Sequence, residues 1–171
     1  MMKILAAVME RRSIRSFSPK EIPGPVMDRL VDALIWAPSA GNLQSRRFCA
    51  VKDLRLKQKL AAAALHQNFI TDAPVVFVCC ADSSISYHYG SRGVDLYSIQ
   101  DVAVSIMAMM LVAHENGLGT CWVGAFHEKE VATILGLPPN LRPVALVPAG
   151  YPERVPRPTP RISREQAVEF R

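Results

Sequence analysis

The sequence is poor in the residues that build metal centres and disulfide frameworks. It holds 4 cysteines and 4 histidines in 171 residues, and none of the cysteines forms a CxxC pair. The histidines also lack the spacing of metal ligands, so we predict no metal site. The cysteines fall within apolar stretches, which is typical of buried structural thiols in a reducing compartment; they are Cys49, Cys79, Cys80 and Cys121.

Long apolar runs are missing too. The longest spans residues 102–113, which is too short to cross a bilayer, and the run at residues 4–8 is too short for a secretory signal. Charged residues are 20% of the chain and hydrophobic residues 50%, as in folded domains and unlike disordered ones. We therefore expect residues 1–171 to form one soluble, cytoplasmic domain without a membrane partner.

The chain is basic, with a net charge of +5 and a pI near 9.2. Its arginines cluster near the two ends of the chain, and no stripe of lysine and arginine alternates with stacking aromatic residues. A nucleic-acid interface normally shows such a stripe. The distribution favours a small anionic ligand and predicts no nucleic-acid partner.

A basic run near the start, Arg11-Arg12-Ser13-Ile14-Arg15-Ser16-Phe17, carries the strongest signal. Guanidinium groups pair with phosphate oxygens, and serine adds a neutral donor. If the first helix continued through the run, Arg11 and Arg15 would lie one turn apart on one face, where an anion would relieve their repulsion. The run predicts a monophosphate site; a solvated basic helix end, suited to the helix dipole, is the alternative.

Hydrophobic periodicity predicts an α+β domain with one central sheet. The predicted helices cover about residues 2–12, 25–37, 54–65, 95–116, 127–135 and 163–170. The predicted strands cover residues 47–51, 75–81, 120–123 and 144–150, the last one broken by Pro148, and residues 83–93 are predicted as a polar loop. The Val-rich run 75–81 reads as a strand buried on both faces, and the proline-rich tail from Tyr151 should lie extended over a surface.

Three further motifs are ambiguous when taken singly. The loop that contains Pro38, Ser39, Asn42 and Gln44 supplies amides that could meet a heteroaromatic ring edge, or is a simple connection. Gly124, within Trp122-Val123-Gly124-Ala125, could let the backbone approach a flat ligand, or marks a bulge at a strand end. Gly117-Leu118-Gly119-Thr120 is predicted to be a helix cap that leads into a strand, because it follows a helix and lacks a third glycine.

Four motifs in one order make the sequence similar to the FMN-dependent nitroreductases: Arg-Arg-Ser-x-Arg-x-Phe, Pro-Ser-x-x-Asn-x-Gln, Gly-Leu-Gly-Thr-Cys-Trp-Val-Gly-Ala-Phe and Pro-Thr-Pro-Arg. The resemblance spans essentially the whole chain. It implies the α+β nitroreductase-like fold, with a central mixed or antiparallel sheet flanked by helices. It also implies an intertwined homodimer with two FMN sites at the subunit interface, in which the tail, residues 151–171, packs on the partner subunit.

The same resemblance assigns cofactor-binding residues, and no catalytic side chain. The FMN phosphate would be held by Arg11, Arg12, Ser13 and Arg15, together with Arg161 of the tail. A partner subunit would contribute the loop with Pro38, Ser39, Asn42 and Gln44. The backbone at Gly124 and Ala125 would face flavin N5, and Gln67 matches a position at the flavin edge only loosely. Three positions depart from the family pattern: Ser45 and Arg46, in Gln44-Ser45-Arg46, stand for the Pro-Trp of Gln-Pro-Trp, and Thr159 stands for a frequent lysine.

The function implied by the resemblance is an FMN-dependent NAD(P)H oxidoreductase of the nitroreductase or quinone-reductase type. It would pass a hydride through flavin N5 to a small organic acceptor by ping-pong turnover. Two alternatives stay open. One is a relative that uses FMN for dehalogenation or for flavin breakdown, and the other is a non-enzymatic flavin-binding protein.

Overall fold

The structure, a computed structural model that describes residues 4–171, is built on one antiparallel sheet. Its strands are Arg46–Val51 (β1), Val75–Asp82 (β2), Gly119–Thr120 (β3) and Leu141–Gly150 (β4), in the order β1-β2-β4-β3. β2 is buried along its whole length and pairs with β1 on one side and with β4 on the other. The prediction of a central strand over residues 75–81 is therefore confirmed.

The prediction that Pro148 breaks the last strand is wrong, since β4 runs without interruption and Pro148 lies opposite Val76. The carbonyl of Pro148 accepts from the Cys121 N–H at 3.3 Å, on the side of the sheet where β3 lies. The N–H that proline lacks would point to that same side. There the neighbouring strand is only two residues long, so little pairing is lost.

The helices are Ile4–Glu10 (α1), Gly24–Trp36 (α2), Leu54–Ala63 (α3), Phe69–Asp72 (α4), Ser86–Arg92 (α5), Ser98–Glu115 (α6), Glu128–Leu135 (α7) and Arg164–Ala167 (α8). Their ends follow sequence signals. The Asp53 carboxylate accepts from the Leu56 N–H at 2.8 Å and caps α3. Gly136, with φ of +60°, ends α7, and Gly117, with φ of +73°, follows α6; both are positions that glycine adopts at little cost.

The prediction of a polar loop over residues 83–93 is wrong. A 3₁₀ turn, Ser83–Ile85, leads into α5, and a π turn, Gly93–Tyr97, joins α5 to α6. The Asp82 side chain starts this helical segment by accepting from the Ser84 N–H at 3.0 Å. Gly90, with φ of +54° and ψ of −147°, kinks the segment. Because the helix changes direction there, its residues do not follow one helical period.

Helices cover both faces of the sheet. α2 and α6 pack on one face through Leu30, Leu34, Ile106 and Met109, and α3 and α7 cover the other face. Within residues 4–171, the segment Ser83–Glu115 is the one stretch long and apolar enough to cross a membrane by length and composition alone. A core helix passes the same test, and the packing of α6 against α2 and β2 accounts for its apolar composition.

Three of the four thiols are buried, as the sequence predicts. Cys79, Cys80 and Cys121 are buried and Cys49 is half-buried; burial, together with the charge of Cys49, raises the pKa of Cys80 to about 12. The chain from residue 153 onward is extended and exposed, apart from the short α8, which a capping box between Ser163 and Gln166 begins.

Candidate functional site

The basic run is extended rather than helical, and α1 ends before it, at Glu10. Ser13 forms a parallel bridge with Thr120, and the Ile14 N–H donates to the Thr120 carbonyl at 2.9 Å. Arg11 and Arg15 are therefore not related by a helical turn. An extended chain alternates its faces, which places Ser13 and Arg15 opposite the buried Ile14.

The run lies close to β3 because residue 119 is a glycine. A Cβ atom there would come within 2.4 Å of Ile14 Cγ1, a distance that forces the run away from the sheet. The predicted role of Gly117-Leu118-Gly119-Thr120 as a helix cap before a strand is confirmed. The structure also shows that Ile14 packs against Gly119, a contact that no spacing rule in the sequence indicated.

The arginines of the run form a cluster of positive charge without carboxylate partners. None of the ion pairs found among residues 4–171 includes Arg11, Arg12 or Arg15. Arg11 Nε is buried without a hydrogen-bond acceptor, and such an atom normally has one. Like charges within five residues of one chain segment repel one another, so an anion bound here would be stabilised.

The three guanidinium groups have different neighbours. Arg12 Nη1 donates to the carbonyls of Met9 at 2.8 Å and of Arg11 at 2.9 Å, so Arg12 also satisfies the end of α1. Arg15 lies over the Phe69 ring, 6.0 Å from its centroid. Burial raises the pKa of the Cys121 thiol, and the charges of Arg15 and Arg11 oppose that shift. Both cations are therefore close enough to Cys121, which follows β3, to affect its charge.

Gln67 is held against the segment Gly124–Ala125. Its Nε2 donates to the Ala125 carbonyl at 3.1 Å and to the Ala64 carbonyl at 2.9 Å. Gly124 and Ala125 are exposed, and the nearest atom to a Cβ built on Gly124 is Trp122 Nε1 at 3.8 Å. The backbone there is open to a flat ligand, with Gln67 fixed at its edge.

The loop of residues 38–44 forms a second, separate group. The Gln44 N–H donates to Ser39 Oγ at 3.0 Å, and the side chains of Pro38, Asn42 and Gln44 are exposed. Across residues 4–171, no hydrogen bond or ion pair joins this loop to the basic run, to Gln67 or to Gly124–Ala125. One subunit therefore presents two partial sets of predicted site residues.

Arg161 is not brought to the basic run within one subunit. It is exposed, and its guanidinium donates only to neighbours in the tail, Thr159 and Pro160. Arg154, which the sequence reasoning did not select, lines a cleft with Ser13, Arg15, Ser16 and Pro156. The clustered arginines of the tail were a sequence signal for Arg154. Its position, however, depends on a backbone hydrogen bond in which the Glu153 N–H donates to the Ser16 carbonyl at 3.0 Å.

The comparisons with known proteins define the class of the molecule. The model of the Nitroreductase family matches residues 8–71 and 61–151, which together are most of the chain. The chain belongs to the Nitroreductase family.

Individual relatives match along nearly the whole chain. An "NADH dehydrogenase" of Thermus thermophilus is 29% identical over 96% of this chain and 94% of its own length. An "FMN reductase [NAD(P)H]" of Bacillus subtilis is 26% identical over 96% of this chain and 72% of its own. The solved structure of B. megaterium NfrA2 superposes with a TM-score of 0.90 at 25% identity, covering 99% of this chain and 74% of that one. The predicted nitroreductase-like fold is confirmed.

Proposed function

We propose that this protein is an FMN-dependent NAD(P)H oxidoreductase of the nitroreductase or quinone-reductase type. The observation that carries the proposal is the cluster of Arg11, Arg12 and Arg15, which lacks carboxylate partners among residues 4–171. The charges of Arg11 and Arg15 act on the Cys121 thiol, a few residues before the open backbone at Gly124–Ala125. The names of its relatives support the same cofactor and the same reductant, NAD(P)H.

The residues of the first group fit the phosphate end of FMN. Arg11 has a buried Nε without an acceptor, Ser13 offers a hydroxyl, and Arg15 is an exposed cation. Charge-assisted hydrogen bonds from such groups are the strong ones in phosphate recognition. Arg12 adds charge while its Nη1 caps α1. Arg161 lies on the exposed tail, and we assign it to the same phosphate.

The remaining residues suit the ring of the flavin. Gly124 and Ala125 offer backbone without an obstructing side chain, and the Gln67 amide is held beside them at 3.1 Å from the Ala125 carbonyl. The loop with Pro38, Ser39, Asn42 and Gln44 would meet the ring from a second subunit, because it is separate from the first group within one chain.

We propose that the protein is a homodimer. Apolar side chains on α1 are exposed in the single subunit, with Ile4 at 79%, Leu5 at 68% and Met9 at 68% of their full accessibility. Phe170 at the end of the tail is 95% exposed. Apolar surface of this kind favours a protein interface, and a second copy of the chain would cover it and bring the two partial sites together.

Bound FMN would supply the redox chemistry, accepting a hydride from NAD(P)H and reducing a small organic acceptor such as a nitroaromatic or a quinone. The chain itself supplies position and charge. Donors held near the ring stabilise negative charge that develops there, and no side-chain nucleophile is assigned. We place the enzyme in the cytoplasm.

Steady-state kinetics with NADH and NADPH against a nitroaromatic, a quinone and free FMN tests this function. Oxidation of either nicotinamide that depends on bound FMN and on an acceptor supports it. A protein that binds FMN yet oxidises neither nicotinamide would instead be a flavin-binding protein, and the proposal would be wrong.

A further inference from the structure

The loop of residues 38–44 has a backbone that needs support. Gly41, Asn42 and Gln44 have φ values of +55°, +55° and +53°, in the left-handed region. Glycine and asparagine tolerate this region, but glutamine has no such preference. The exposed loop therefore keeps this shape only if buried groups hold it.

Asp101 is one of those groups. It lies near the start of α6 and is 4% exposed. Its Oδ1 accepts from the Ala40 N–H at 2.9 Å, and its Oδ2 accepts from the Ser45 hydroxyl at 2.7 Å. The carboxylate therefore holds the loop at its middle and at the residue that follows it.

Arg46 is the other group, and it is 5% exposed. Its Nη1 donates to the Pro38 carbonyl at 3.0 Å, and its Nη2 donates to the carbonyls of Ile35 at 3.0 Å and Ala37 at 2.5 Å. The end of α2 leaves these carbonyls without helical partners, and a cation suits their dipole. Arg46 thus fixes the point at which the loop leaves α2.

The two buried charges belong together. Burial lowers the pKa of Arg46, and the negative charge of Asp101 opposes that shift. A buried cation without a counter-charge would be costly, so Asp101 supports Arg46 in addition to its own hydrogen bonds. Ser45 and Arg46 are also the two positions at which the sequence departs from the Gln-Pro-Trp pattern.

We propose that Arg46 and Asp101 are positioning residues for flavin binding: together with Ser45 they hold the loop of residues 38–44 in the shape that presents Ser39, Asn42 and Gln44 to the flavin ring. The inference rests on the proposed function. Arg46, Asp101 and Ser45 act through the loop, and none of them is assigned a contact with the cofactor.

The test measures FMN and riboflavin affinity of the full-length apo-protein and its variants by fluorescence titration, well below each melting temperature. Asp101→Asn and Arg46→Lys are expected to weaken both ligands about tenfold or more, as for loss of hydrogen bonds to a charged group. Both ligands should suffer alike, because the loop addresses the ring and not the phosphate. Activity is not needed as a readout.

Ser45→Ala is the milder variant, should the charge variants fail to fold, and it should also weaken both ligands. Ser45→Thr keeps the hydroxyl and should restore binding. Ser105→Ala is the matched control, since Ser105 is equally buried and donates to the backbone carbonyl of Asp101 at 3.0 Å rather than to its carboxylate; its flavin affinity should equal that of the wild type.

Two results would contradict the inference. If Ser45→Ala and Asp101→Asn lower the melting temperature but bind both flavins as the wild type does, the pair only stabilises the fold, and the proposed function stands. If the wild type itself binds no FMN, the proposed function fails and the inference fails with it.

Discussion

At the scale of single residues, the positive charges of Arg11 and Arg15 are the strongest indication that the ligand is an anion. The double variant Arg11→Ala with Arg15→Ala should weaken FMN binding by roughly 2–5 kcal/mol, as for loss of two charged contacts. Riboflavin, which lacks the phosphate, should lose much less. Arg55→Ala, an exposed arginine on α3, is the control for net charge. Equal FMN affinity in the wild type and the double variant would refute the phosphate assignment.

Asp82 gives a prediction on acid stability at the same scale. Burial acts to raise its pKa, but hydrogen bonds from Asn140 and Ser84 and the charge of Arg47 prevail, and the pKa is lowered. A carboxyl whose folded pKa lies below its unfolded value, about 3.9, stabilises the fold above that value. The stabilisation is lost as the pH falls through the folded pKa.

Asp82→Asn keeps an oxygen that can accept from Ser84 and Asn140 but cannot titrate. Its unfolding free energy should therefore depend less on pH than that of the wild type between about pH 2 and pH 5. Denaturant unfolding across this range measures the slope, with Asp28→Asn, an exposed position on α2, as the control. A slope as steep as that of the wild type would show that Asp82 contributes nothing to acid sensitivity.

At the scale of elements, the basic run can pack against β3 only because residue 119 has no side chain. Gly119→Ala would place a Cβ 2.4 Å from Ile14 Cγ1, and overpacking of this kind costs about 1–3 kcal/mol. The run must move, so FMN affinity should fall as well. Gly24→Ala is the control, because nothing lies within 4 Å of a Cβ built there. Thermal unfolding and FMN titration check both effects. A Gly119→Ala protein with wild-type stability would show that the basic run can move away from β3 without a cost in stability.

The sequence predicted elements well where one physical signal was strong. The apolar run of β2, the long apolar α6 and the glycine that ends α7 were all readable. It failed where tertiary contacts decide. α5 is kinked at Gly90, so its pattern is irregular, and the basic run is extended because Ile14 pairs with Thr120, a residue far along the chain. Ser45 and Arg46 stood out in the sequence only as departures from the family pattern, and Asp101 gave no signal. Their hydrogen bonds show what they hold.

At the scale of the whole molecule, we propose that the two partial sets of site residues form one site across a homodimer. Leu5→Glu, on the exposed face of α1, should convert the proposed homodimer to monomer, because a charge would be buried in an apolar interface. Leu54→Glu makes the same substitution at an exposed leucine on α3 and should leave the dimer intact. Sedimentation velocity distinguishes these outcomes, and a wild-type monomer would contradict the proposed assembly.

The place of Arg161 shows why the complete site was beyond sequence reasoning about one chain. Its tail is exposed along its length, and its guanidinium contacts only tail neighbours. Composition predicted a tail extended over a surface; the tail is extended, and the surface that it covers stays a prediction. In the proposed homodimer the tail would cover a surface of another copy of the chain, whereas periodicity and spacing describe only the single polypeptide.

Anaerobic mixing of the FMN-loaded protein with NADH or NADPH, followed through the visible absorption of the bound flavin, tests the proposed function most directly. The flavin band should bleach with at least one nicotinamide and return when a quinone or a nitroaromatic is added. A flavin band that neither nicotinamide changes would contradict the proposed function.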